Sequence, residues 1–127
     1  MDTGGSTVSN SALGIRANGP GSRVLNNDVH ETKETSAGAA YGIYLHNGYG
    51  SVVMNNRVGN EAFGTGDSYG IYIGTSDNVI VKSNTISKME TGIYFPASTG
   101  LYGDNLVSGC TTPFTGGTAA GSTNYSN

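Results

Sequence analysis

Short apolar stretches alternate with polar residues along most of the chain, and four segments share one pattern. Each begins with Gly-Ile and is followed, 13 or 14 residues after the glycine, by an asparagine. An apolar residue comes two positions after every one of these asparagines. The pairs are Gly14 and Asn27, Gly42 and Asn56, Gly70 and Asn84, and Gly92 and Asn105. Recurrence in this form predicts a solenoid of repeated coils.

Within each repeat the apolar residues alternate with period two and are often β-branched, which predicts strands and not helices. The strands are too short, and too regularly followed by turns, to pair as hairpins. We therefore expect each strand to pair with its equivalent one coil later, about 4.8 Å along the axis. The predicted fold is all-β: a short right-handed parallel β-helix of about four coils. A leucine-rich repeat is the competing fold, but the chain has only five Leu.

The repeat also predicts which side chains stack between coils. The four asparagines are expected to form an asparagine ladder, because a carboxamide donates and accepts at once and can satisfy the next coil's turn. The four glycines are expected to be turn residues with an unusual φ or crowded packing. Three inward rows should form the core: Ile15, Ile43, Ile71 and Ile93; Val24, Val53, Val81 and Tyr102; and Val29, Val58, Ile86 and Val107.

The register predicts one domain over residues 1–127. The coils are expected at about 14–41, 42–69, 70–91 and 92–112, with a flexible or strand-forming tail over 115–127. Pro113-Phe114 falls on the Gly-Ile position of a further coil, and Val8 on an apolar position of a preceding one. We therefore expect a fragment or a truncated solenoid. Because open solenoid ends expose strand edges and apolar side chains, we also expect a homo-oligomer.

Composition removes several classes of protein. Gly, Asn, Ser and Thr make up almost half of the residues, and the usual helix formers are scarce. Six Lys and Arg against nine Asp and Glu disfavour a nucleic-acid partner. No apolar run approaches the roughly 20 residues of a membrane span. Residues 1–13 have neither the basic start nor the apolar core of a signal peptide. Cys110 stands alone, so no disulfide framework is expected.

The segment from Gly70 to Ile86 resembles the repeat of the pectin-lyase-like right-handed parallel β-helix superfamily, and the resemblance covers roughly residues 8–114. It implies the fold. It does not imply one activity, since the superfamily spans lyases, hydrolases, epimerases, phage tailspikes and inactive scaffolds. It favours an extracellular location or a phage or virion surface.

One row of residues on the first strand of each coil should point outward. It contains Arg16, Tyr44, Tyr72 and Tyr94, with His46 one outward step further along. Aromatic faces suit sugar rings, and the resemblance implies that this sheet forms the floor of a saccharide groove. We therefore expect these five residues to bind a polysaccharide or another glycan. The alternative is that the tyrosines only stack on one another as strand residues.

Two long loops, at 30–41 and 59–69, carry Glu31, Glu34, Glu61 and Asp67. Long loops on a rigid scaffold are the usual place for recognition. An acidic pair there could act as acid and base or hold Ca²⁺, although solvated loop carboxylates are the simpler interpretation. The sequence contains no recognisable metal-ligand set, so we expect no cofactor other than, at most, calcium.

One segment resembles a catalytic motif. Tyr41-Gly42-Ile43-Tyr44-Leu45-His46 is similar to the Tyr-Gly-aromatic-Asp-Pro-His motif of β-helical alginate epimerases, which it matches at Tyr41, Gly42 and His46. Tyr44 replaces the acidic residue of that motif and Leu45 replaces its proline. His46, with a tyrosine as its partner, is therefore the one catalytic candidate.

Three hypotheses about function follow. The first is a saccharide-binding or structural β-helix module without clear catalytic machinery. The second is a fragment of a polysaccharide lyase, hydrolase or epimerase that uses His46 and tyrosines. The third is a structural solenoid that associates with copies of itself.

Overall fold

The computed structural model describes residues 3–4, 11–34, 38–62, 66–120 and 124–127. Its elements in those ranges are short strands, and none is helical. It follows that this part of the chain contains no helix of the length and apolarity that a membrane crossing requires. Val8, expected on an apolar row of a preceding coil, lies outside the described residues.

Three sheets of five parallel strands each take one strand from every coil. The first sheet contains β2 (Ala12–Asn18), β6 (Ala39–His46), β9 (Asp67–Gly74), β12 (Thr91–Tyr94) and β15 (Thr112–Thr115). The second contains β3 (Arg23–Leu25), β7 (Val52–Met54), β10 (Val79–Lys82), β13 (Gly100–Gly103) and β16 (Thr118–Ala119). The third contains β4 (Asp28–His30), β8 (Arg57–Gly59), β11 (Thr85–Ser87), β14 (Leu106–Ser108) and β17 (Tyr125–Ser126). A separate pair joins β1 (Thr3–Gly4) to β5 (Thr32–Lys33).

Each strand pairs in parallel with its equivalent in the next coil, which confirms the predicted all-β parallel β-helix. The described residues contribute strands to five coils: the four expected in full and the further one expected to begin at Pro113-Phe114. The additional coil consists of β15, β16 and β17, so the segment over 115–127 contains strands. As predicted, Phe114 pairs with Ile93 and occupies the Gly-Ile position of this last coil.

The three predicted core rows are in register. Ile43 pairs with Ile71, Val53 with Val81, and Val58 with Ile86, and all six side chains are 0% exposed. Burying one such side chain contributes about 1.5–3 kcal/mol. Because equal or similar residues stack coil upon coil, the core has the same cross-section throughout and its rows pack without a change of register.

The predicted asparagine ladder is present and extends into the fifth coil. In each step the side-chain Oδ1 of one asparagine accepts two hydrogen bonds, from the backbone N and from the Nδ2 of the asparagine one coil earlier, at 2.9–3.3 Å. A further bond runs from Nδ2 to a backbone carbonyl of the earlier coil. The members are Asn27, Asn56, Asn84, Asn105 and Asn124.

A left-handed residue precedes the ladder asparagine in the first four coils. These residues have φ between 54° and 57° and are Asn26, Asn55, Ser83 and Asp104. Asparagine, aspartate and other small polar residues tolerate this conformation better than β-branched ones. The turn from the second sheet to the third is therefore made by one left-handed residue and one ladder asparagine.

The repeat glycines are not turn residues, which corrects that part of the sequence-based expectation. Gly14, Gly42, Gly70 and Gly92 lie within strands of the first sheet, and none of them has a positive φ. The alternative explanation, crowded packing, is correct. A Cβ on Gly42 would lie 2.2 Å from Val58 Cγ1 and 2.8 Å from the Gly70 carbonyl oxygen. Only glycine lets this strand approach the third sheet so closely.

The ladder can be tested with Asn84→Ala, since Asn84 has coils on both sides. The change removes the acceptor of the Asn56 backbone N–H and leaves buried polar groups unpaired. We expect it to lower the free energy of unfolding by about 1–3 kcal/mol, measured by denaturant titration. Asn18→Ala is the matched control, because Asn18 is exposed and accepts only a 3.4 Å bond from Asn47. Equal stability of the two variants would contradict the ladder's role.

Candidate functional site

The outer face of the first sheet carries the tyrosines because the strand alternation is interrupted at the repeat glycine. In β6 both Gly42 and Ile43 face inward, whereas Tyr41 and Tyr44 on either side are half-buried. Regular alternation would put residues three apart on opposite faces. Two consecutive inward residues put both tyrosines on the outer face, and β9 repeats the arrangement with Tyr69 and Tyr72.

The predicted outward row is in register. Arg16 pairs with Tyr44, Tyr44 with Tyr72, and Tyr72 with Tyr94. Their role in binding a ligand stays a prediction, but the structure brings all of these side chains together.

A second outward row, next to the first, was not predicted. It contains Tyr41 and Tyr69, which are register partners. The signal was in the sequence, because both residues directly precede a repeat glycine in Tyr-Gly-Ile-Tyr. An assumption of uninterrupted alternation left both residues out of the predicted outward row. The two rows together form what we call the tyrosine patch: Tyr41, Tyr44, Tyr69, Tyr72 and Tyr94.

The rings of the tyrosine patch pack against one another. Tyr72 lies at the centre, with ring centroids 4.9–5.4 Å from the other four and ring planes 80–87° to theirs. The surrounding rings are close to parallel, at 14° between Tyr41 and Tyr69 and 14° between Tyr69 and Tyr94. Edge-to-face and offset-stacked pairs of this kind are favourable beyond their buried area. The patch is therefore a continuous, ordered aromatic surface.

Glycine at position 74 makes room for this packing. Gly74 is the register partner of His46, so it occupies an outward position beside the patch. A Cβ there would lie 3.1 Å from Tyr44 Cε2 and 3.1 Å from Tyr72 Cε1. The missing side chain lets both rings lie close to the sheet.

The side chains of Arg16 and His46 border the patch. The Arg16 guanidinium lies 5.9 Å from the Tyr44 ring centroid, within the range of a cation–π contact. His46 lies two residues after Tyr44 on the same strand, with its Nδ1 3.4 Å from the Tyr44 hydroxyl and its ring 5.7 Å from the Tyr44 ring. Arg16 and His46 therefore both contact the patch at Tyr44.

Among the four loop carboxylates, only Asp67 borders the patch. Asp67 is the first residue of β9, two positions before Tyr69, so it lies on the first sheet and not in a loop. Glu31 forms an ion pair with Lys33 and accepts a bond from the Glu61 backbone N–H. Glu34 is buried. The structure therefore does not bring the four loop carboxylates together at the patch.

Glu31 and Glu61 lie beside the third sheet instead. They line a concavity of about 340 Å³ together with His30, Arg57 and Lys88. The reason is local: β4 ends at His30 and β8 at Gly59, so both glutamates follow within two residues of the third sheet. The loops return to the first sheet only at residues 39 and 67.

Burial raises the pKa of three patch hydroxyls. The pKa of Tyr69 rises from the ordinary 10.0 to about 12, because the hydroxyl is partly buried and because Asp67 and the neighbouring tyrosines disfavour a phenolate. Burial and adjacent Tyr and Asp groups raise the pKa of Tyr41, and burial and adjacent tyrosines that of Tyr72. The patch therefore presents neutral hydroxyls, which both donate and accept hydrogen bonds.

The described residues around the patch include neither a carboxylate partner for His46 nor a metal-ligand cluster. The described side-chain contacts of His46 are those with Tyr44, and none is with a carboxylate. Nor do the described residues bring three or more His, Cys, Asp or Glu side chains together as ligands of a metal ion. Burial raises the pKa of Cys110, the one cysteine in the sequence. The side chain therefore stays in the thiol form, which is less reactive than the thiolate.

These features define a right-handed parallel β-helix with an aromatic patch on one sheet. The model of the family described as right-handed β-helix region matches residues 3–127. The chain belongs to this family, which confirms the predicted handedness as well as the coil. No curated protein and no solved structure matches the chain.

The raised pKa values predict a loss of stability at high pH. In the unfolded chain the patch tyrosines ionise near 10.0, whereas Tyr69 in the folded chain ionises at about 12. Between these values the unfolded state releases protons that the folded state retains, so the free energy of unfolding should fall as the pH rises above 10.

We expect spectroscopic titration to show that phenolate absorbance appears at a higher pH in the folded protein than in the denatured protein. Denaturant titrations across the same pH range should show the matching decrease in stability. Coincident ionisation of the folded and the denatured protein would contradict the described environment of the patch.

Proposed function

We propose that this chain is a saccharide-binding module and that the tyrosine patch is its binding surface. The observation that carries the proposal is the continuous set of five half-buried rings on one flat sheet. Such surfaces bind sugars because the ring covers apolar C–H groups while hydroxyls form hydrogen bonds around the edge. All five rings in this patch carry a hydroxyl of their own.

The dimensions of the patch suit a short stretch of a glycan chain. Its tyrosines come from three successive coils, β6, β9 and β12, so the patch extends over two coil steps, or about 10 Å along the axis. That length corresponds to two or three sugar residues. We therefore expect the glycan to lie along the helix axis and to contact more than one ring.

Polar side chains at the border of the patch can orient the ligand. Arg16 and His46 can donate hydrogen bonds beside Tyr44, and Asp67 can accept them near Tyr69. Of the described loop carboxylates, Asp67 lies on this sheet, whereas Glu31 and Glu61 lie beside the third sheet. Both neutral and acidic glycans therefore belong in a screen.

The test is binding of a glycan panel by calorimetry, with Tyr72→Ala as the central variant. Tyr72 contacts every other ring of the patch, so its loss should weaken binding by about tenfold or more. Tyr49→Ala is the matched control, because Tyr49 is 47% exposed and lies outside the patch. Tyr72→Phe, which retains the ring, should retain most of the affinity.

Two results would overturn the proposal. One is a folded protein that binds no glycan in the panel, and the other is binding that Tyr72→Ala and Tyr49→Ala affect equally. Thermal melts of each variant establish that the protein tested is folded. New reducing ends or double bonds in the glycan would instead support the enzymatic alternative with His46 and Tyr44.

A further inference from the structure

Tyr41 and Tyr69 differ from the other ring pairs of the tyrosine patch in how their rings face each other. They occupy the same position in consecutive coils and are register partners. Their ring centroids lie 5.3 Å apart, and their ring planes are 14° from parallel. Because one side chain repeats the other one coil later with a nearly parallel ring, equivalent ring atoms face each other. The ortho carbon, next to the hydroxyl, therefore faces its counterpart in the next coil.

The other ring pairs of the patch lack this arrangement. Tyr72 meets its four neighbours at 80–87°, so the edge of one ring meets the face of the other. The two other stacked pairs, Tyr41 with Tyr44 and Tyr69 with Tyr94, join different positions of the repeat. Tyr41 and Tyr69 are thus the pair in which equivalent ring atoms are opposed.

The charge of one carboxylate acts on both hydroxyls of this pair. Asp67 begins β9, two residues before Tyr69, and is among the groups that raise the pKa of Tyr41 and of Tyr69. The raised pKa keeps each hydroxyl neutral at ordinary pH. Oxidation of a neutral phenol removes a proton together with the electron, and the Asp67 carboxylate can accept that proton.

We propose that Tyr41 and Tyr69 are an oxidative modification site, at which a peroxidase-type oxidant joins the two rings as dityrosine. Both side chains are half-buried, so an oxidant in solution can reach them. The new bond links β6 to β9 and therefore joins two consecutive coils covalently. The inference is independent of the proposed saccharide binding, and its test uses no glycan.

The reaction balances with hydrogen peroxide as the oxidant. Each phenol gives up one electron and one proton and becomes a phenoxyl radical, while hydrogen peroxide takes up both electrons and both protons and becomes two molecules of water. The two radicals form one carbon–carbon bond between their ortho carbons. The hydrogen on each of these carbons then moves to the phenolic oxygen, which restores both aromatic rings. The product is two hydrogen atoms lighter than the parent chain.

The first test is treatment of the dilute, folded chain with a peroxidase and hydrogen peroxide. Dityrosine fluorescence and peptide mapping by mass spectrometry should show a monomer in which the peptide of Tyr41 is joined to that of Tyr69. Tyr41→Phe and Tyr69→Phe retain the ring without its hydroxyl, and each should lose the joined peptide and most of the fluorescence. Tyr49→Phe is the matched control and should retain both, because Tyr49 is 47% exposed and lies outside the patch.

Three results would overturn the proposal. The first is dityrosine that forms only between chains, as covalent dimers. The second is a set of joined peptides from other tyrosines, with the pair of Tyr41 and Tyr69 absent. The third is an equal yield of the joined peptide from the chain unfolded in urea, since the folded geometry would then have no part in the coupling. Thermal melts of each variant establish that the protein tested is folded.

The stability of the linked chain gives a second measurement that needs no variant. The link closes a segment as long as one coil, and cross-links stabilise a fold mainly by restricting the unfolded chain. The purified linked monomer should therefore melt about 10 °C above the parent. A linked monomer that melts at or below the temperature of the parent would contradict a folded state in which the two rings are already opposed.

Discussion

Hydrogen bonding between equivalent positions of successive coils is the constraint on which the rest of this structure depends. Among the described residues no strand is longer than eight residues, and each pairs with a strand of a neighbouring coil and not with its neighbour in sequence. A single coil therefore satisfies almost none of its own backbone groups. The asparagine ladder extends the same principle to the turns, because each carboxamide from Asn56 onward satisfies both a backbone N–H and a backbone carbonyl of the preceding coil.

This constraint also produces the candidate site. Pairing in fixed register places each residue of a repeat directly above its equivalent, so a tyrosine repeated at one position becomes a row of rings on the surface. The repeat glycine adds the second row, since two consecutive inward residues turn Tyr41 and Tyr69 to the same face as Tyr44 and Tyr72. Position 42 must be glycine because it packs against Val58. The same packing thus sets the width of the aromatic surface.

Most of the fold could be predicted from the sequence, because the spacing of the repeat determines which residues of successive coils pair. The core rows, the ladder and the outward row of Arg16, Tyr44, Tyr72 and Tyr94 all follow from spacing alone. What could not be predicted depends on departures from regular geometry. The interrupted alternation at Gly42 concealed Tyr41 and Tyr69, and the position of Glu31 and Glu61 depended on where β4 and β8 end. The strands in the last residues carry weak apolar signals, since Ala119 and Ser126 replace the valines of earlier coils.

Hydrogen exchange of the backbone amides of the ladder asparagines tests the central claim most directly. The N–H groups of Asn56 and Asn84 donate to a ladder Oδ1 in the buried interior, whereas the N–H of Asn124 has no described acceptor. At a protein concentration low enough to prevent association, we expect the Asn56 and Asn84 amides to exchange only through global unfolding. The Asn124 amide should exchange faster by orders of magnitude. Exchange of the Asn84 amide at the rate of Asn124 would contradict the conclusion that ladder bonds hold successive coils together.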